Sequence, residues 1–462
     1  MSEATPLLPS PPDTKIDPYG HFSRLRKRLI VTIVSCCGLL SLFVSGCFIP
    51  SIPRIAEELD STPSIINLAV SLSILTVSIG SLFWATYSGF YGRRPIYLGS
   101  LPILCLGSIG VALSQSVAQL LVFRMLQGFG ASSGLSVGTG VIADIYKLEE
   151  RGTAMGIFFG AILLGPALAP LAGGVAAYYF TWRHMHWSLM FCALMCFLSV
   201  VFFLPETSHP GSRGIEKLET DRRKPFHVVW LNPLKSVWLL RSPNLMAVTL
   251  TGTFTLLTDY VMLLPLAYTI GTRYNITNEA LIGAFFLPVG VGNMVGAPLS
   301  GRFSDHIVIK WRKRRNGEWV PEDRLRAALF GAGVLVPLSV LLSGIFTHFI
   351  DGTPGIVLNL ICMFVNGIGV DYVLTPSAAY NTDVLHSRSA EVMAANNGFR
   401  GVILAMAAAA ILPSINAIGV LWTNFIAAIL GWIGFGFLYL TIKYGDRMRA
   451  YVDVGFTTSP DA

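Results

Sequence analysis

The sequence predicts an all-α membrane protein, with twelve transmembrane helices in two pseudo-symmetric six-helix bundles. Three observations carry that expectation. Apolar residues make up 53% of the 462 positions and charged residues only 13%, giving a mean hydropathy of +0.61. Apolar runs recur from residue 29 almost to the end, each near the ~20 residues that a helix rising ~1.5 Å per residue needs to cross a bilayer. A polar and basic connector at 205–243 divides those runs six and six.

Residues 1–28 are polar, rich in proline and then basic, so they read as a disordered cytoplasmic tail without the apolar core of a cleavable signal peptide. The first six runs, at about 29–49, 65–87, 95–113, 117–142, 153–178 and 187–204, make an N-terminal bundle of 29–204. The second six, at about 246–270, 280–299, 327–349, 354–380, 392–412 and 420–442, make a C-terminal bundle of 244–443, with a cytoplasmic tail at 444–462. With both termini cytoplasmic, all but five of the 33 Lys and Arg fall in cytoplasmic loops and tails. Arg54, Arg183 and Arg273 lie in the opposite loops, and Arg124 and Arg400 within spans. This asymmetry follows the positive-inside rule. The net charge of +7 therefore reports orientation and contact with anionic lipid, and nucleic acid is not an expected partner.

Seven cysteines, at 36, 37, 47, 105, 192, 196 and 362, all fall in apolar runs and read as packing residues. The eight histidines are scattered among tails and loops, with no pairing at metal-ligand spacing, so no metal site is expected. No glycine-rich nucleotide loop ending in Gly-Lys-Ser/Thr occurs either, which argues against an ATP-driven pump.

The charged residues inside the spans are informative because one at mid-bilayer costs about 2.5 to 3.5 kcal/mol and is held by a partner or a water-filled cavity. They are Arg124, Asp259, Asp371 and Arg400 in the fourth, seventh, tenth and eleventh spans. Two readings of Arg124 stand at this point: a functional charge, or a brace donating to backbone carbonyls. Asp371 and Arg400, both in the inner half, are a candidate ion pair. Gly130, Gly134 and Gly138, and likewise Gly292 and Gly296, repeat every four residues and let backbones approach closely. Asn67, Tyr260, Tyr268, Asn293, Asn366, Tyr372, Asn396 and Asn397 are softer polar candidates for a cavity wall. Asn275-Ile276-Thr277 is a candidate glycosylation sequon, or a cap of the eighth span, and Glu3–Leu8 has the form of an acidic dileucine sorting signal.

The loop after the second span, YSGFYGRRPIY, is echoed after the eighth by PLSGRFSDHIVIKWRKRR, as in a transporter built from parallel repeats. These loops resemble the cytoplasmic gate motif of the major facilitator superfamily. Gly92, Arg93 and Arg94 match in the first half, where Gly89 stands in place of the usual aspartate; Gly301, Arg302 and Asp305 match in the second. LVFRMLQGFGASS resembles the family's fourth-span motif through Arg124, Gln127, Gly128, Gly130 and Ala131. LLGPALAPLAGG resembles its antiporter motif through Gly165, Pro166, Pro170, Gly173 and Gly174, with Ala169 departing from it. LPETS after the sixth span and SAEVMAANNGFRG before the eleventh are similar to the twelve-span drug:proton antiporters of fungi.

The resemblance implies the major facilitator fold, with the first, fourth, seventh and tenth spans lining a central cavity and the fifth and eighth meeting between the bundles. It associates Arg124 with proton coupling. Asp259 or Asp371 is then the expected proton carrier, because burial favours the protonated form of a carboxyl group while a nearby arginine opposes it. The expected function is a proton-coupled antiporter exporting drugs, organic acids or secondary metabolites by alternating access. It would use no cofactor, draw on the proton gradient, act as a monomer, and reside in the plasma membrane or the vacuolar membrane. A facilitator or importer of a nutrient or organic anion is the alternative, and a membrane-embedded enzyme the lesser one.

Overall fold

The computed structural model describes residues 22–146, 151–208, 213–219, 229–385, 388–452 and 454. The Glu3–Leu8 motif lies outside them. All regular structure among the described residues is helical. In the first half the helices are α1 (Arg24–Gly46), α2 (Ile52–Glu58), α3 (Pro63–Tyr91), α4 (Arg93–Leu113), α5 (Val117–Ile145), α6 (Arg151–Tyr179) and α7 (Trp182–Phe203), followed by a short α8 (Gly214–Glu219) in the connector. The second half holds α9 (Pro243–Leu263), α10 (Glu279–Ala284), α11 (Leu287–Arg314), α12 (Val336–Phe349), α13 (Gly352–Val384) and α14 (Ser389–Tyr451).

Among the described residues, ten helices are long and apolar enough to cross a membrane. Helix α5 is 29 residues long but not among them, because its polar content (Arg124, Gln127 and a run of Gly and Ser) dilutes its hydropathy. Helix α14 is 63 residues long and turns at Gly419, whose φ of 81° is a left-handed conformation that favours glycine. At ~1.5 Å per residue its two arms together follow about 95 Å of path, more than one bilayer thickness.

Several expected boundaries move. Helix α1 begins at Arg24, inside the 1–28 tail, because Ser23 caps it by accepting a hydrogen bond from the Arg26 amide at 3.3 Å. Helix α14 continues through the basic residues after 443 to Tyr451, where Arg449 pairs with Glu322. The sixth run begins at Trp182 rather than 187, since Trp182 is buried and donates from Nε1 to Glu58 at 2.5 Å.

The start of α1, the connector and the end of α14 lie at one end of the molecule, called here the termini end: Val229 and Leu231 of the connector donate to Tyr91 and Tyr87 of α3, and Ser242 donates to the carbonyl of Val452. At the opposite, far end one hydrophobic cluster runs across both halves, joining Phe48, Ile52, Ile66 and Val70 to Val261, Leu264, Ile282 and Phe286. Towards the termini end the cores separate into one drawn from the first half alone and two drawn from the second. The halves meet along two seams, α3 against α14 and α6 against α10 and α11. They are therefore closed together at the far end, while their cores part towards the termini end.

Candidate functional site

Helix α5 carries Arg124 into the first half because it has almost no side-chain bulk where it touches its neighbours. A Cβ on Gly130 would stand 2.8 Å from the Cα of Leu104 on α4, and one on Gly128 would stand 2.7 Å from Oγ1 of Thr76 on α3. On Gly134 it would strike the Cys37 carbonyl of α1. Tight packing on three sides leaves Arg124 wholly buried, at 0% exposure.

Its Nη1 donates to the carbonyl of Val44 at 3.1 Å and to Oε1 of Gln127 at 2.7 Å, and its guanidinium lies 4.4 Å from the centre of the Phe48 ring. No carboxylate is within ion-pair distance among the described residues, and Nε and Nη2 have no partner. Arg124 thus braces α5 against α1 with one nitrogen and keeps two donors free. An arginine can only donate, so the oxygen of the Gln127 amide must face it and the nitrogen must point away. That nitrogen donates to Oγ of Ser108 at 2.9 Å and meets Nδ1 of His186 at 3.3 Å. Nδ1 is therefore the acceptor and His186 carries its proton on Nε2.

Sequence reasoning missed His186. It placed the histidines in tails and loops, whereas the earlier start of α7 brings this one into the buried helix face, edge-on to Trp182. A tryptophan-rich helix start, TWRHMHW, was the available signal. Replacing His186 by phenylalanine is expected to cost about 1 kcal/mol of stability by removing one acceptor. Asparagine, whose oxygen can stand in for Nδ1, should restore most of it; thermal unfolding of the two variants side by side checks this.

In the second half, Asp259 on α9 and Asp371 on α13 each have one carboxylate oxygen buried without a partner, and the two groups lie within electrostatic reach of each other. Asp371 is buried, with its Cβ 3.2 Å from where a Cβ on Gly296 would stand; Asp259 is partly exposed. Tyr260 lies within reach of both Asp259 and Arg400. The expected ion pair between Asp371 and Arg400 does not form: Nη2 of Arg400 donates to Oδ1 of Asn397 at 2.9 Å instead, three residues back on the same helix. Arg400 faces α9, where its Nη1 is 3.6 Å from the Cβ position of Gly252.

The softer candidates divide. Asn67 donates to the carbonyl of Ala408 at 2.7 Å and so ties α3 to α14 across the halves, and Asn366 donates to Thr258 and Ser339 within the second half. Asn293 and Asn396 keep buried carbonyl oxygens without partners, as does the Tyr268 hydroxyl. Tyr372 lies against Phe303, with ring centres 6.0 Å apart. Asn275 is exposed at a turn with φ 53°, and the cap of the following helix is Asn278, not Asn275 or Thr277.

The gate motif of the first half is held by acidic residues from elsewhere. Arg93 Nε pairs with Asp144 at the end of α5 at 2.9 Å, and its Nη1 donates to Ser88 at 2.6 Å. Arg94 Nη2 donates to the Val201 carbonyl at 2.9 Å. The backbone amides of Arg93 and Arg94 donate to the two oxygens of Glu206 at 2.9 and 3.2 Å. Glu206, the acidic residue of LPETS, thus caps α4 with a full charge, and Gly92, with φ 104°, lets it in because any Cβ there would overlap the carboxylate. Gly89 has open space around its Cβ position and takes no part. In the second half, Arg324 pairs with Asp383 at the end of α13 at 2.7 Å and with Asp305 at 3.1 Å, while Arg302 is exposed and Gly301 faces open space. Arg93 with Asp144 and Arg324 with Asp383 are equivalent pairs in the two halves. Glu206→Gln is expected to cost about 1–2 kcal/mol through the lost charged cap, seen as faster hydrogen exchange of the Arg93 and Arg94 amides.

The antiporter motif lies on the seam between the halves. Gly165 faces Leu42 of α1 and Gly173 faces Cys47, the residue that ends it. Gly174 looks the other way, where a Cβ would stand 3.0 Å from the Glu279 carbonyl carbon and 3.2 Å from the Cα of Gly283. A Cβ on Gly283 would in turn stand 3.1 Å from the carbonyl carbon of Pro170. Pro166 and Pro170 interrupt the α6 hydrogen-bond ladder beside this contact.

The first half thus holds a buried arginine without a carboxylate partner, and the second half holds two carboxyl groups and Arg400, in a molecule whose halves close at the far end. The MFS antiporter QDR3 of Candida albicans is 25% identical over 557 aligned positions, which cover 93% of this chain and 79% of that protein. The Citrate exporter 1 of Aspergillus niger is 33% identical over 210 positions, covering 45% of this chain and 40% of that one. A crystal structure of a bacterial homolog of the human lysosomal transporter Spinster, inward-facing and unoccupied, matches in fold with a TM-score of 0.65 at 14% identity, over 92% of this chain and 99% of that one. The profile of the Major Facilitator Superfamily matches residues 34–408, from α1 into α14, and the chain belongs to that superfamily.

Proposed function

We propose that this chain is a proton-coupled antiporter that exports small organic molecules by alternating access. Twelve crossings underlie the reading: the ten apolar helices, with α14 crossing twice about Gly419 and α5 crossing as the polar span between α4 and α6. Both termini then lie on the same side, and the basic loops of that end support placing it in the cytoplasm. The plasma membrane is the proposed site. The observation that carries the coupling is the pair Asp259 and Asp371, each with a buried, unpartnered oxygen and each within reach of the other. Two carboxylates within reach of each other repel when both are charged, which is the physical basis for binding a proton at this pair. Asp259, the more exposed of the two, exchanges that proton with water, and entry of a proton drives release of the cargo.

An anionic cargo is the second reading, and one observation favours it: Arg124 and Arg400 are both free of carboxylate partners, and Arg124 keeps Nε and Nη2 unused. Those two nitrogens form the edge of a guanidinium that matches a carboxylate bidentately. The name of the citrate exporter relative points the same way.

Transport into inside-out vesicles under an imposed proton gradient, screened with organic acids, cationic drugs and polyamines, tests both readings. Gradient-dependent accumulation of at least one class is expected, and of organic acids if the cargo is anionic. Uptake of every class indifferent to the gradient overturns the antiport reading.

A further inference from the structure

Around the termini end, basic side chains sit over aromatic rings: Arg26 over Phe22, Lys27 over Tyr146, Arg326 over Trp311 at 3.9 Å and Lys443 over Tyr444 at 5.3 Å. Such pairs of an amphipathic ring and a cation suit the membrane–water boundary. One further pair, Arg241 over Trp238 at 5.9 Å, belongs not to a span but to the connector.

The connector residues Pro233–Arg241 form a 3-10 helix, capped by Asn232, whose side chain accepts from the Leu234 amide at 2.9 Å. At three residues per turn, positions three apart fall in one row. Lys235, Trp238 and Arg241 make such a row, and all three are exposed. Leu239 and Leu240, on the other rows, are buried with Leu245, Leu385, Val392 and Val454 of the second half. Trp238 in that row is 70% exposed, and beside the row stand Trp230 at 89% exposure and Leu234 at 64%. No acidic residue occurs from Val229 to Arg241. Arg241 precedes Ser242, the cap of α9, so this helix sits where a membrane-length helix begins.

We propose that the connector segment 229–241 is an interfacial anchor for an anionic lipid surface, with Trp230, Leu234 and Trp238 set into the bilayer boundary and Lys235 and Arg241 on lipid phosphates. Charge, aromatic content and position select this occupant: two cations without an acidic neighbour repel a basic partner, and the row faces out beside the start of a span. Anchoring would also bear on the two halves together. The amides of Val229 and Leu231 hold the segment to Tyr91 and Tyr87 of the first half, while Leu239 and Leu240 hold it to the second. The inference rests on the chain spanning a membrane and is independent of cargo and coupling ion.

The test places the fluorescent residue dansylalanine at 238 in the full chain, reconstituted in nanodiscs of neutral lipid with or without phosphatidylserine. A control carries it at 316, an exposed turn between α11 and the following 3-10 helix. The label at 238 should be quenched by lipids bearing a nitroxide near the glycerol and sheltered from aqueous iodide, with the reverse at 316. Lys235→Gln with Arg241→Gln should weaken phosphatidylserine retention about 30-fold, as about fivefold per basic residue at an anionic surface predicts. Iodide quenching at 238 equal to that at 316 would overturn the proposal by showing a face open to water. Shelter from iodide without nitroxide quenching would overturn it too, since protein and not lipid would then cover the row.

Discussion

Replacing Asp259 by asparagine is expected to reduce gradient-driven transport by about 100-fold or more, in line with the contribution of a positioned proton-transfer group. Counterflow exchange of labelled for unlabelled cargo, which needs no net proton movement, should continue. The reason is chemical. Asparagine keeps the size of the side chain and its oxygen but cannot release or bind the proton, so the rocking motion survives and its coupling does not. Asp371→Asn should give a milder loss, because Asp371 is buried against the Gly296 backbone and acts on Asp259 through its charge rather than by exchanging a proton with water. Unchanged pH dependence of uptake in Asp259→Asn would remove that residue from the coupling step, and a full loss in Asp371→Asn alone would transfer the role.

Valine at Gly174 or Gly283 is expected to act on the conformational equilibrium instead of the chemistry. At both positions the nearest atoms are backbone of the opposite half, which cannot rotate away: the Glu279 carbonyl for Gly174 and the Pro170 carbonyl for Gly283. Forcing side-chain carbons into that contact costs about 1–3 kcal/mol, a factor of about 5 to 150 against the far-end-closed arrangement. The halves should part at the far end and transport should fall by a comparable factor. Spin labels at Asp60 and Asn275, exposed in far-end loops of the two halves, would then report a longer separation. Gly160→Val is the control, since nothing lies within 4 Å of its Cβ position on the same helix. An unaltered distance distribution with normal transport in Gly174→Val would show that this seam does not move.

Much of the candidate site was legible because its signals are local. Arg124, Asp259, Asp371 and Arg400 stand out as charges in apolar runs, and the Gly and Pro spacing of α6 marks a close backbone contact whichever neighbour supplies it. Partners were not legible. Arg400 sits near Asp371 in any count of helical depth, but its rotation about α14 turns it towards Asn397 and α9. Gly89 suggested a gate short of one charge, whereas the charges come from Asp144 and Glu206, 51 and 113 residues beyond Arg93.

Hydropathy and helical repeat are properties of neighbouring residues, so they are enough to make the chain helical and membrane-embedded, to mark its basic end, and to single out the few side chains that need a partner. The packing of the helices sets the rest: that Arg124 fixes the amide of Gln127 and through it the proton of His186, that Glu206 caps α4, that two nitrogens of Arg124 stay unpaired, and that the halves close at the far end. Each of these depends on the rotation of one helix against another. A rotation of that kind moves a side chain from a partner to lipid without altering the apolar pattern along the chain.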